Sequence, residues 1–176
     1  MAFAFDILTS YPSSAPHPDY QDKLMLFGQF EGVWDVDIQF FDEIGEAIFQ
    51  GKGEWAFAWV MDGRVLQDVL TFPDLHDPSA IAPGKRNIGT SLRHYDPKTE
   101  VWRIVWIGAS SGNLCFLTAK PDGDNLLIER KEPGMPFLKW RFTDITEKQF
   151  HWTGHFSNDD GKSWILEQKM LATKRM

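Results

Sequence analysis

The chain has 176 residues, with 18 Lys and Arg against 25 Asp and Glu, a formal charge of −7 and a pI near 5.2. A chain of this length makes one ordinary domain that buries roughly 70% of its unfolded surface, so it needs neither disulfides nor a structural metal. The acidic balance excludes the electrostatic footprint of a nucleic-acid or anionic-membrane binder, and the lone Cys115 excludes an internal disulfide and points to a cytoplasmic location.

The opening stretch MAFAFDILTS carries Asp6 and no basic run, and no window approaches the roughly 18 apolar residues of a membrane span. Neither a signal peptide nor a transmembrane helix is expected. Residues 11–19 hold Pro12, Pro16 and Pro18, which predicts an extended lead-in without helix or strand. Asp19 is then placed to cap a short helix over 20–27. The chain accordingly divides into an extension with its helix, residues 1–26, and a barrel domain, residues 27–176.

From Phe30 the apolar period is two rather than 3.6, and turn signals recur at hairpin spacing. Strands are expected over 33–41, 47–61, 64–72, 89–95, 101–107, 113–119, 125–130, 137–144, 149–157 and 163–173. Asp62-Gly63 is a two-residue hairpin signal, and Asp96-Pro97-Lys98-Thr99, Asp122-Gly123 and Asp159-Asp160-Gly161 mark further turns. Gly51 and Gly53 read as points where the long second strand bends. About ten sequential antiparallel strands leave two open edges unless the sheet closes, so the predicted fold is an all-β, up-and-down antiparallel barrel, with a sandwich as the competing architecture.

The stretch Phe30-Glu31-Gly32-Val33-Trp34 opens the first strand and Lys174-Arg175 closes the last. It resembles the Phe-x-Gly-x-Trp opening of lipocalins and other calycins. The resemblance implies that Trp34 closes the barrel floor while a basic side chain of the final strand, Arg175, stacks across it. An even strand count brings the two to the same end. Further stretches are Gly53-Glu54-Trp55, 62–69, Gly89 to Pro97, Trp102 to Ile107, 142–145, Phe150-His151-Trp152 and 157–164. Together they resemble the calycin-like bacterial proteins grouped as DUF1579, a largely uncharacterised family, over 27–175. That resemblance implies a lipocalin-like barrel and little else.

Turn arithmetic orients the side chains. A two-residue Asp62-Gly63 loop sets Trp59 opposite Leu66, Phe57 opposite Asp68 and Trp55 opposite Leu70. The 96–99 loop puts Ser91, Arg93, Tyr95, Trp102, Ile104 and Trp106 on one surface. If both surfaces face inward, Arg93 lies one strand from Asp68, and the pair keeps a buried carboxylate charged. The expected function is binding of a small hydrophobic or aromatic molecule in a tryptophan-lined cavity, with Asp68, Arg93 and Tyr95 as its polar cluster. Trp55, Phe57, Trp59 and Leu66 would form one side of its wall, with Trp102, Trp106, Trp140 and Trp152 completing it.

Three alternatives remain open at this level. In a lyase, isomerase or cyclase, Asp68 would be the acid or base and Arg93 and Tyr95 would orient the substrate. A haem-binding barrel is another, since some calycins hold haem. The third is a barrel packed solid with tryptophan, whose ion pair only fixes strand register. Residues 73–88, carrying His76, Lys85 and Arg86, form the longest connection and a candidate lid at the open end. The spacing of His151 and His155 spans about 13 Å on a strand, too wide to chelate one ion, and no metal site is expected. His17 and His94 read as solvated or locally bonded imidazoles, and Cys115 as a buried structural thiol. No phosphate loop, dinucleotide fingerprint or nucleophile elbow is present. The small-molecule ligand is thus the expected partner, with neither nucleic acid nor membrane, and a face-to-face homodimer is compatible with the pattern.

Overall fold

The computed structural model describes residues 11–73 and 86–176. Ten long antiparallel strands form the body: β2 (Gly32–Phe41), β3 (Ala47–Val60), β4 (Val65–Phe72), β5 (Asn87–Asp96), β6 (Val101–Gly108), β7 (Asn113–Asp122), β8 (Asn125–Arg130), β9 (Phe137–Thr143), β10 (Gln149–Ser157) and β11 (Ile165–Lys174). Each pairs with its sequence neighbour, and β11 returns to β2, so the sheet closes into an up-and-down barrel. Closure satisfies the ladder groups that an open sheet would leave on two edges.

The first hairpin shows why the register follows from the turn. Asp62 and Gly63 both have positive φ, 58° and 73°, and Arg64 N–H donates to Met61 O at 3.2 Å. Positive φ at both central residues matches the twist of the flanking strands. The register that results pairs Trp59 with Leu66, Phe57 with Asp68 and Trp55 with Leu70.

Three local expectations are corrected. Residues 11–19 are not free of structure: Pro12–Ser13 forms a two-residue strand, β1, against Val60 and Trp59. Asp19 is not a cap. A 3-10 turn over Pro18–Tyr20 is capped by His17, whose Nδ1 accepts from Asp19 N–H, and helix α1 follows over Gln21–Gly28. The last strand starts at Ile165 rather than 163, because Ser163 donates its N–H and Oγ to Asp159 and belongs to that turn. Gly53 serves close approach as well as curvature, since a Cβ there would lie 2.4 Å from Thr71 O.

Helix α1 seals one end of the barrel. Leu24, Phe27 and the following Phe30 are buried. Phe27 meets Trp102 edge-on at 4.9 Å, and Phe30 lies 4.7 Å from Phe142 and 4.9 Å from Phe150. Trp34 stands behind them, fully buried, 4.7 Å from Phe150, with its indole N–H donating to Phe30 O at 2.7 Å. The basic group over the Trp34 ring is Lys174, whose Nζ lies 5.2 Å from the centroid. Arg175 instead directs its guanidinium to the exposed Asp35 and the buried Glu54. This corrects the expected floor: side chains alternate along β11, so the inward–outward order near its end decides which of two adjacent cations reaches the ring.

Candidate functional site

The sealed half of the barrel is solid and the other half is hollow. A cavity of about 600 Å³ opens at the end opposite α1, among the connections 108–112, 131–136 and 158–162. That volume is in the range of small-molecule sites. The wall is dominated by four indoles in a contact series. Trp106 meets Trp140 edge-on at 6.3 Å, Trp140 lies 5.7 Å from Trp152, and Trp152 meets Trp55 edge-on at 6.3 Å.

Two of these rings lie against glycines. A Cβ on Gly89 would sit 2.4 Å from Trp106, and one on Gly154 would sit 2.7 Å from Trp152. Neither position can carry a larger residue without moving the neighbouring indole. Leu70, Phe40 and Met170 belong to the apolar lining, and Ser91 lies on the same wall.

Arg93 marks the boundary between the hollow and solid halves. It lines the cavity, is 2% exposed, and its guanidinium carbon lies 5.2 Å from the Phe27 centroid and 5.4 Å from that of Phe57. Its Nη1 forms an ion pair with Asp68 Oδ2, and Asp68 Oδ1 accepts the Ser91 N–H at 3.3 Å. Asp68 itself is fully buried and is not part of the cavity wall. Burial pulls the Arg93 guanidinium below its ordinary pKa. The adjacent carboxylate acts in the opposite direction, and arginine stays protonated.

The expected residues therefore separate into two groups. Trp55, Trp106, Trp140, Trp152 and Arg93 line the cavity. Phe57, Trp59, Leu66 and Trp102 face inward too, but belong to the packed half, where α1 fills the space they would otherwise surround. Tyr95 is also displaced from the cavity. Two residues beyond Arg93 along β5, it lies 6.0 Å from Tyr20 and 5.8 Å from Trp102, bordering a groove beside α1. Asp68, Arg93 and Tyr95 consequently do not meet as one cluster around the cavity.

At the rim stand Cys115, Arg130 and Glu167. Arg130 Nη1 approaches Cys115 Sγ at 3.6 Å, and Nη2 donates to Pro136 O at 2.7 Å. Burial pushes the Cys115 thiol up, outweighing the Arg130 charge that favours the thiolate. Burial likewise raises the Glu167 carboxyl. Period-two alternation does not reveal Glu167, because the β10–β11 register shifts at Gly154/His155 and leaves it without a cross-strand partner. Ser91 and Gly89 were legible in principle, lying two and four residues before Arg93 on the same face.

Among the described residues no histidine lines the cavity, and no group of His, Cys, Asp and Glu is arranged to hold a metal ion. His151 pairs with Asp144 at 3.0 Å, and His94 is exposed. Burial first, then the Lys139 and Arg141 charges, lower the His155 pKa. The described residues offer no axial imidazole for haem inside the barrel. Most of the candidate lid, including His76 and Lys85, lies outside the described residues; its end is pinned where Ile88 N–H donates to Ser110 Oγ at 2.7 Å. No helix among the described residues is long and apolar enough to cross a membrane. No family model matches the chain, and no curated protein is similar to it.

Proposed function

We propose that the protein is a lipocalin-like binding barrel that holds one small, flat, hydrophobic or aromatic molecule in the cavity opposite α1. The observation that carries this is the wall itself: four indoles in series around about 600 Å³, above a single buried guanidinium. Apolar walls supply most of the affinity, and one polar group fixes orientation. The DUF1579-like calycin resemblance agrees with such a barrel, and a free Cys115 suits a cytoplasmic carrier or sensor. Acid–base catalysis through Asp68 has less support, since a general base must reach the proton it takes and Asp68 sits behind Arg93.

The test is a calorimetric titration with a neutral naphthalene derivative, run beside Leu70→Trp, which adds bulk from the cavity wall. One-to-one saturable binding that the folded variant loses is expected. No saturable binding, or equal binding by the folded variant, would overturn the proposal.

A further inference from the structure

The outer wall of the barrel is divided by charge. Two rows of outward-facing residues run unbroken across five strands, β3 to β7. Ala58, Gln67, Leu92, Val105 and Phe116 stand side by side in one row, and Ala56, Val69, Thr90, Ile107 and Leu114 in the next. None of the ten is charged, and the two polar side chains bond to each other, Gln67 Nε2 donating to Thr90 Oγ1 at 3.1 Å. Phe116 is 67% exposed and Leu114 55%, with Ile107 also exposed beside them. On the opposite half the equivalent rows are charged: Lys52 and Asp37 share one, Lys169 and Arg141 another. A contiguous apolar patch on an otherwise acidic protein marks a site of association.

The relief of the face selects its occupant. Side-chain bulk rises along both rows, from alanine on β3 to Phe116 and Leu114 on β7. A two-fold axis along the middle strand, β5, lays the bulky edge of one copy over the alanine edge of its partner. The large side chains then fill the gap that opens where two convex barrel walls diverge. With the exposed Ile88, His94, Arg103 and Thr118 around them, the rows cover about 550 Å² in projection at ordinary strand spacing. Side-chain relief brings this near the roughly 800 Å² of accessible surface that each partner contributes to a standard interface. Two chains of charge −7 repel one another, and these rows let them approach without opposing carboxylates.

From an uncharged face that is complementary to itself, we infer that a second copy of this chain docks on the outer surface of β3 to β7. The dimer is isologous, with Phe116 of each protomer packed over Ala58 of the other. This pairing is independent of what the cavity holds.

Sedimentation equilibrium of the full chain, from micromolar to hundreds of micromolar, tests it. The mass should approach twice 20.3 kDa, and added salt should tighten the association by screening the repulsion between copies. Phe116→Lys and Ala58→Glu, both at exposed positions, should each weaken it by about tenfold or more. An equimolar mixture of the two variants should regain the dimer, because one contact then sets the new lysine against the new glutamate and the other is unchanged. A monomer at every concentration, or a dimer that neither substitution weakens, would overturn the inference. Variants that do not recombine would overturn the two-fold arrangement. A monomer that co-sediments with phosphatidylcholine vesicles unless Phe116 is replaced would give the face to a bilayer and likewise overturn the dimer.

Discussion

Asp68 and Arg93 sit on adjacent strands, β4 and β5, and pair across the interior with both side chains almost wholly withdrawn from water. The pair is diagonal: Asp68 stands opposite Ser91, and Arg93 opposite Leu66. It lies at the level where the filled half of the barrel gives way to the cavity.

Removing either member alone should destabilise strongly, because it strands an uncompensated buried charge. Arg93→Met and Asp68→Asn are each expected to cost up to about 3–5 kcal/mol, and the double variant less than the sum of the two. Denaturant unfolding of the four proteins measures the coupling. Additive costs would show that the two side chains do not act as a pair.

Gly89→Ala should reshape the cavity. The added methyl cannot share space with the Trp106 ring, so the ring must swing or the strand must shift. A loss of about 1–3 kcal/mol of stability is expected, with a changed tryptophan emission and weakened ligand binding. An unaltered spectrum and affinity would mean that the ring does not rest on the glycine.

Acid should weaken the fold through two surface turns. Asp159 is held well below the ordinary carboxylate range by the Ser163 N–H, then by the Ser157 and Ser163 hydroxyls. Asp96 is lowered from 3.8 to about 2, first by the Thr99 hydroxyl and then by the Lys98 N–H. Both carboxyls bind protons more weakly folded than unfolded. Their stabilisation is therefore complete above the ordinary carboxylate pKa and is lost as pH falls toward and below about 2. Asp96→Asn and Asp159→Asn should flatten the acid limb of a stability–pH curve; an unchanged limb would discount these turns.

Cys115 should react slowly with iodoacetamide, since a raised thiol pKa leaves little thiolate near neutral pH. The rate should climb at higher pH than for an unstructured cysteine peptide. Because Cys115 lines the cavity, a bound ligand should slow the reaction further. Labelling as fast as the peptide, followed by mass spectrometry, would contradict the burial that sets this behaviour.

Much of the architecture was written locally. Alternation from Val33 onward, together with turns such as Asp62-Gly63, determined the ten strands, the pairing of Trp59 with Leu66 and of Phe57 with Asp68, and the inward direction of Arg93. A strand has only two faces, so a turn of known length settles which residues share one. What alternation cannot supply is depth along the barrel axis. Only the tertiary structure decided that α1 drives Phe27 into one end, so that Trp102, Trp59 and Tyr95 became core or groove while Trp106, Trp140 and Trp152 were left around a cavity. Likewise, only three-dimensional packing assigned Lys174 to Trp34 and let the register shift at Gly154/His155 carry Glu167 to the rim. Phe27 with Trp102 and Trp34 with Lys174 are contacts between segments distant in sequence, the register shift is an irregularity within one hairpin, and no local period encodes any of them.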